Sequence, residues 1–323
     1  MSDLVLRQLQ VDELNLLPQL MQDCFGMQVD EDYFKWKYLN NPAGNFIGFG
    51  AFHGNRLVGF KGVFPGLYNA NGIQTTIYQS GDAMTHPDFR RQGLFEKLAT
   101  CCFNKIQEKN PLIVIGFGGT KSTPGLIKIG WKHLADVRYF FKHKLQLKWR
   151  NLFSKRLKDY HISETSDLND IVALYNKYRA KRDITPIYSH SFLTWRLANP
   201  RFVYRCVLCK KSNENVGFLI YYQDGDKLFI LDYCGQTENT LKALFRYAGK
   251  VCLEKNLIGL ITIAIPESSE GQQLKRCGFL QNPLNTGPMS AKIPFIVLTE
   301  PKLKDRFLHQ NQWLVIPICH DAL

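Results

Sequence analysis

Apolar and polar positions along this chain follow two periods, and the switches between them mark out short strands and helices. Residues 4–9 alternate as a strand, and 12–24 carry an apolar stripe at helical spacing that Pro18 bends or splits. The acids Asp30, Glu31 and Asp32 open a second helix over 30–39, which Asn41-Pro42-Ala43-Gly44 ends. Strands are predicted at 46–53 and 57–65, joined by a turn at Gly54-Asn55. From Gln79 the chain alternates again through Thr85-His86-Pro87. From Gly93 onward Leu94, Leu98, Cys101, Cys102 and Ile106 recur at helical spacing. An apolar strand over 112–117 and a short helix over 123–131 complete an α/β pattern built around a mixed sheet.

The second half repeats the first. Trp36-Lys37-Tyr38-Leu39-Asn40-Asn41-Pro42 is echoed by Trp195-Arg196-Leu197-Ala198-Asn199-Pro200. In turn, Leu126-Ile127-Lys128-Ile129-Gly130-Trp131 is echoed by Leu274-Lys275-Arg276-Cys277-Gly278-Phe279. Two echoes in one order at nearly one offset read as a duplicated unit. At 323 residues the chain exceeds one usual core. The expected division is a domain over 1–147, a basic linker over 148–159 (Lys148, Arg150, Lys155, Arg156, Lys158), and a second, degenerate copy over 160–323.

Composition narrows the partners. An apolar share of 45% is that of a globular protein with a core, and no apolar run reaches the roughly 18 residues of a membrane span. The first residues carry acids where a signal peptide carries bases, and nine cysteines form no regular framework, so a cytoplasmic location is expected. Cys206-x-x-Cys209 alone has ligand spacing, and without a second pair no metal is expected. Net charge is +13, which suits polyanionic partners. Nucleic acid is not expected among them, because no helix-turn-helix, zinc finger or aromatic-basic repeat accompanies the charge.

The chemistry concentrates at one elbow. Arg90-Arg91-Gln92-Gly93 falls where strand becomes helix, so unpaired backbone N–H groups and the positive end of a helix dipole face one spot. Such a spot suits a pyrophosphate, and Gly93 lets the backbone come close to it. The stretch Gly116 to Ser122 imitates a phosphate loop but has Thr120 where glycine must precede the lysine.

A strand ending Thr85-His86-Pro87, followed by Arg90-Arg91-Gln92-Gly93-Leu94-Phe95, resembles the acyl-CoA site of the GNAT superfamily of N-acyltransferases. The downstream strand and the helix ending Gly130-Trp131 keep the family's order, whereas Phe95 stands where a small residue is usual. The resemblance implies that Arg90, Arg91, Gln92, Gly93, Leu94 and Phe95 hold the pyrophosphate of coenzyme A. It also implies that the backbone of Ala83, Met84 and Thr85 pairs with pantetheine, with amine attacking thioester directly.

Asp82 is the candidate general base, with bracing of its own strand as the alternative. Leu126 replaces the family's tyrosine acid, which leaves Ser122 or Thr123 as hydroxyls for the leaving thiolate, or water. Trp36, Tyr38, Asn41, Tyr221 and Tyr222 are candidate acceptor-binding residues. FKWKYLNNPAG, GDAMTHPDFRRQG and the degenerate second half are similar to bacterial N-acyltransferases of nucleotide-linked amino sugars. That likeness implies a dTDP- or UDP-linked aminodeoxy sugar as acceptor and acetyl-CoA or 3-hydroxybutanoyl-CoA as donor, for surface polysaccharide. An aminoglycoside or peptide amine acetyltransferase and a non-catalytic acyl-CoA sensor are the competing readings. In the second copy the elbow is absent, since Asp232 and Glu238 would meet a pyrophosphate there.

Overall fold

The computed structural model describes residues 4–119, 122–151, 159–179, 182–282, 284, 286–287 and 289–320. β1 (Leu4–Gln8) leads through a 3-10 turn at Val11–Leu16 into α1 (Leu17–Phe25). Pro18 lies in the first turn of α1, where a missing N–H costs nothing, so it starts this helix instead of bending a longer one. α2 (Glu31–Tyr38), β2 (Ile47–His53), β3 (Arg56–Ala70) and β4 (Ile73–Thr85) follow. β3 outruns the strand expected at 57–65 because Asn71 and Gly72, both at positive φ, form the tight turn that twisted antiparallel strands favour. α3 (Leu94–Gln107), β5 (Ile113–Phe117) and α4 (Thr123–Lys128) complete the first series.

β6 (Lys132–His143) and α5 (Lys144–Asn151) come next, so residues 148–151 of the expected linker are helical; 152–158 lie outside the described residues. The series then restarts with β7 (Tyr160–Glu164), α6 (Leu168–Tyr178), a short β8 (Ile184–Pro186) and α7 (His190–Leu197). β9 (Tyr204–Lys211), β10 (Glu214–Asp224), β11 (Lys227–Gly235), α8 (Glu238–Glu254), β12 (Gly259–Ala264) and α9 (Ser269–Arg276) continue it. β13 (Leu280–Gln281), β14 (Lys292–Thr299) and α10 (Lys304–Phe307) end it. The two tryptophans of the sequence echo sit in α2 and α7. Gly130 and Gly278 follow α4 and α9 at φ 99° and 86°, the left-handed exit that favours glycine.

By contact the chain forms two units, one of residues 1–134, 198–201 and 294–310, the other of 135–197, 202–293 and 311–323. In the first, strands run in the order β1-β2-β3-β4-β5-β14; in the second, β7-β9-β10-β11-β12-β6. The run of strands in each unit thus includes one from the other half of the sequence. All neighbours are antiparallel except β4 with β5 and β11 with β12. The first core gathers Trp131, Phe103, Ile106 and Leu126 with Ile296 and Leu298 of β14. The second gathers Phe140 of β6 with Leu219, Tyr233, Leu244 and Phe245. Each large side chain so buried contributes about 1.5–3 kcal/mol.

Cys206 and Cys209 are both buried in β9, and burial pushes each thiol up to about 12. Three residues apart on a strand, they point to opposite faces. Among the described residues, no group of three or more His, Cys, Asp or Glu could hold a metal ion, and no helix is long and apolar enough to cross a membrane.

Candidate functional site

In the first unit the parallel ladder of β4 with β5 lasts only from Tyr78↔Val114 to Gln79↔Ile115. Beyond it the strands part. The cause is local: between Ser80↔Val63 and Ala83↔Lys61, β4 spends Gly81 and Asp82 against the single Gly62 of β3. Such a bulge bends the strand and re-aims its side chains.

The gap is a cavity of about 740 Å³. Ser80, Gly81, Ala83 and Thr85 of β4 form one wall, and Gly116 to Gly119 the other. Phe25, Phe95, Phe117, Leu126 and Ile296 give it apolar surface; Lys61, Arg90 and Ser122 give it polar groups. Met84, the residue between Ala83 and Thr85, is 1% exposed and turned to the core, as strand alternation requires.

The elbow closes one end. After a 3-10 turn at Pro87–Phe89, Arg90 is extended, Arg91 and Gly93 adopt left-handed φ of 65° and 71°, and α3 begins at Leu94. A Cβ at Gly93 would meet only Lys97 Cε, at 3.9 Å, so the glycine is required there by the sign of φ and not by crowding. No side chain caps α3, so its first N–H groups have no side-chain acceptor from the cap position.

Arg90 braces the elbow: its Nε donates to Thr85 O at 3.2 Å and its Nη2 to Cys24 O at 3.1 Å. Arg91 and Gln92 are exposed. Leu94 is buried with Leu98, Ala51 and Val58, fixing the start of α3 on the sheet.

Asp82 does not line the cavity. Its Oδ2 accepts from Tyr38 OH at 2.8 Å and stands 3.1 Å from Lys37 Nζ, while its own N–H donates to Tyr38 OH at 3.2 Å. The Tyr38 hydroxyl occupies a notch between Gly62 and Gly81, where a Cβ on either glycine would stand 2.7 Å from it. Burial, reinforced by the Asp82 charge, pushes the Tyr38 phenol well above its ordinary range, so it remains a donor.

Trp36 is 4% exposed and packs on Tyr33. Asn41 spends both ends of its amide on backbone: Nδ2 donates to Pro65 O and Oδ1 accepts from Ala43 N–H. Ser122 lies on the cavity with its hydroxyl 3.3 Å from Gly119 O. Tyr221 and Tyr222 belong to the second unit's core, Tyr222 stacked on Phe229. The structure therefore brings Ala83, Thr85, Arg90, Phe95 and Ser122 together, and sets Asp82, Trp36, Tyr38 and Asn41 in the packing of α2.

Sequence reasoning missed Lys61. It is 1% exposed, yet its ammonium borders the cavity, donating to Ser80 Oγ at 2.7 Å and to Gly81 O at 2.9 Å. A lone lysine inside the apolar run Leu57 to Pro65 was the available signal.

The second unit repeats the geometry in reduced form. β11 and β12 also part after three paired residues, and β11 bulges at Leu231, so an aspartate stands next to the bulge here where Asp82 stands within it in the first unit. Here, however, Thr237 caps α8 by accepting from Thr240 N–H, and Ser268 caps α9 by accepting from Gly271 N–H.

Comparison with known proteins agrees with this geometry. Residues 5–134 match the GNAT acetyltransferase domain. No curated protein matches by sequence. Among solved structures, the fold is similar to a conserved protein of unknown function from Enterococcus faecalis V583, a probable N-acyltransferase. That similarity has a TM-score of 0.69 at 12% identity, over 92% of this chain and 73% of that one.

A GCN5-related N-acetyltransferase from Anabaena variabilis ATCC 29413 gives 0.65 at 13% identity, over 91% and 72%. Saccharomyces cerevisiae N-myristoyltransferase, with bound myristoyl-CoA, gives 0.63 at 12% identity, over 93% and 79%. The domain match stops at residue 134, whereas these likenesses of fold extend over most of both units. Residues 5–134, which lie in the first unit, are thus similar to a GNAT acetyltransferase domain, and the fold of the chain is similar to that of N-acyltransferases.

Proposed function

We propose that the first unit moves an acyl group from acyl-CoA to the amine of a nucleotide-linked amino sugar. The observation that supports acyl transfer is one arrangement: a cavity opened by parting strands, bounded at one end by a helix start without a side-chain cap. The diphosphate of the coenzyme is assigned to the N–H groups that follow Gly93, and its pantetheine arm to the unpaired edge of β4 at Ala83 to Thr85. The acyl chain, acetyl or 3-hydroxybutanoyl, falls among Phe117, Leu126 and Ile296.

In the reaction the amine nitrogen attacks the thioester carbonyl carbon, the C–S bond breaks, and the coenzyme leaves as thiolate. Negative charge builds on the carbonyl oxygen, and the backbone N–H groups of the parted strand and the Lys61 ammonium are the donors assigned to it. The amine gives up a proton to reach its reactive form, and the thiolate gains one. Asp82, on the parted stretch of β4, is the carboxylate assigned to the first step through water, and the Ser122 hydroxyl or water to the second.

A basic chain, +13, favours an acceptor that bears a diphosphate over a cationic aminoglycoside. The test is a thermal-shift screen of acyl-CoAs against dTDP- and UDP-linked amino sugars, followed by thiol release with the pairs that bind. Stabilisation by acyl-CoA of about 2.7 kcal/mol at a hundred times its Kd, with thiol release only when an amino sugar is added, is the expected result. Release with aminoglycosides or peptides alone overturns the acceptor, and binding without release from any amine favours a sensor.

A further inference from the structure

The Tyr38 hydroxyl bonds to Asp82 in both directions, donating to Oδ2 at 2.8 Å and accepting from the Asp82 N–H at 3.2 Å. A phenol can donate and accept at once, so the two bonds coexist. Gly62 and Gly81 leave the notch through which the phenol reaches the backbone.

The same peptide unit is held at its other end. Gly81 O accepts from Lys61 Nζ at 2.9 Å, and in a trans peptide the C=O of Gly81 and the N–H of Asp82 point to opposite sides. Tyr38 and Lys61 therefore grip one peptide plane from two sides and fix its rotation. That plane lies within the bulge of β4, and the residues on either side of Asp82, Gly81 and Ala83, line the large cavity. A bulge has a residue unpaired in the ladder, so without such a grip its backbone is free to turn.

The second unit offers an independent comparison. Beside its bulge, Asp232 accepts from Tyr188 OH at 2.5 Å and stands 3.5 Å from Arg179 Nη1. In the first unit, Asp82 stands 3.1 Å from Lys37 Nζ. Tyrosine, aspartate and cation thus recur where Thr237 and Ser268 cap the helix starts and no coenzyme is assigned. A trio present without the ligand serves the bulge itself, so Tyr38 works by holding backbone and not by moving protons.

On the acyl-CoA reading above, on which this rests, we propose that Tyr38 is a positioning residue for acyl transfer. It locks the Gly81–Asp82 peptide, and with it the edge of β4 to which the thioester carbonyl is assigned, while touching neither coenzyme nor acceptor.

The test follows the thioester carbonyl of acetyl-CoA, labelled there with 13C, by infrared difference spectroscopy on the full chain, with Kd measured by calorimetry. The expected result for the wild type is saturable binding and a bound carbonyl band below that of free coenzyme, the signature of a hydrogen-bonded carbonyl. Tyr38→Phe keeps the ring in its notch and loses only the hydroxyl. Its Kd should stay within about threefold, because the diphosphate contacts are untouched, while the bound band returns at least about halfway to the free frequency. Lys37→Met, which removes the cation and spares both hydroxyl bonds, should leave the band where the wild type puts it.

A bound band that is not lowered in the wild type, is equally low in Tyr38→Phe, or is displaced as far by Lys37→Met overturns the role of Tyr38 and leaves the acyl-CoA reading standing. Absence of saturable binding to the wild type overturns both. Should Tyr38→Phe not fold, amide hydrogen exchange of the wild type decides. An Asp82 N–H protected before coenzyme is added supports the lock, and one unprotected until then overturns it.

Discussion

The two units part their parallel strands in the same way and bulge at the same place, yet they treat their helix starts in opposite ways. In the first, α3 follows a left-handed Gly93 and α4 follows Ser122, and neither start has a side-chain cap bond. In the second, Thr237 and Ser268 cap α8 and α9 with their own oxygens. A cap oxygen meets the N–H groups that a diphosphate would otherwise meet. On the reading proposed above, the comparison teaches that a phosphate site of this kind is closed not only by acids but by donors satisfied from within.

The largest test of the comparison concerns the aspartate at the bulge, present in both units. Asp82→Asn leaves Lys37, 1% exposed, beside a neutral amide, and should cost roughly 3 kcal/mol in denaturant unfolding, the low end for a broken buried pair. Asp232→Asn, with its site fully buried, should cost at least as much, about 3–5 kcal/mol. Should Asp82→Asn instead fold with unchanged stability and lose turnover, the carboxylate acts as base and the two aspartates are not equivalent.

Gly93→Val places a branched side chain on a left-handed backbone at the elbow to which the coenzyme is assigned, and should raise the KM for acyl-CoA about hundredfold in a thiol-release assay. An unchanged KM would move the coenzyme elsewhere. Lys61→Met should lower kcat at least about tenfold while leaving acyl-CoA affinity within about twofold, because the ammonium is assigned to charge that develops only in the transition state. The smallest effect belongs to the capped unit. Thr237→Ala should cost about 1 kcal/mol of stability by thermal unfolding and leave acyl-CoA binding untouched.

The elbow was legible in the sequence because its signals are local: a strand, a basic turn, a glycine and a helical stripe within one stretch. The residues of the sequence echo fall in like places, Trp36 and Trp195 within α2 and α7, and Gly130 and Gly278 just after α4 and α9. The pairing of β6 and β14 was not legible, because a strand's own residues state that it is a strand but not which distant edge it joins. Nor was the role of Asp232, which reads as a group that repels phosphate until Arg179, far upstream on α6, is placed beside it. Residues 148–151 read as linker through their charges, although they continue the helix Lys144–Asn151, whose Leu147 is buried in the second core. Gly93 was expected to allow close approach of a phosphate, and its left-handed φ of 71° adds a demand for glycine that the sequence does not state.

The exchange of β6 and β14 governs how this molecule can be made. A gene cut at the midpoint would encode two polypeptides, each deprived of one strand of its own unit and each carrying its sibling's. Neither piece is self-sufficient on that accounting, so translation must run through both halves before either set of strands is whole.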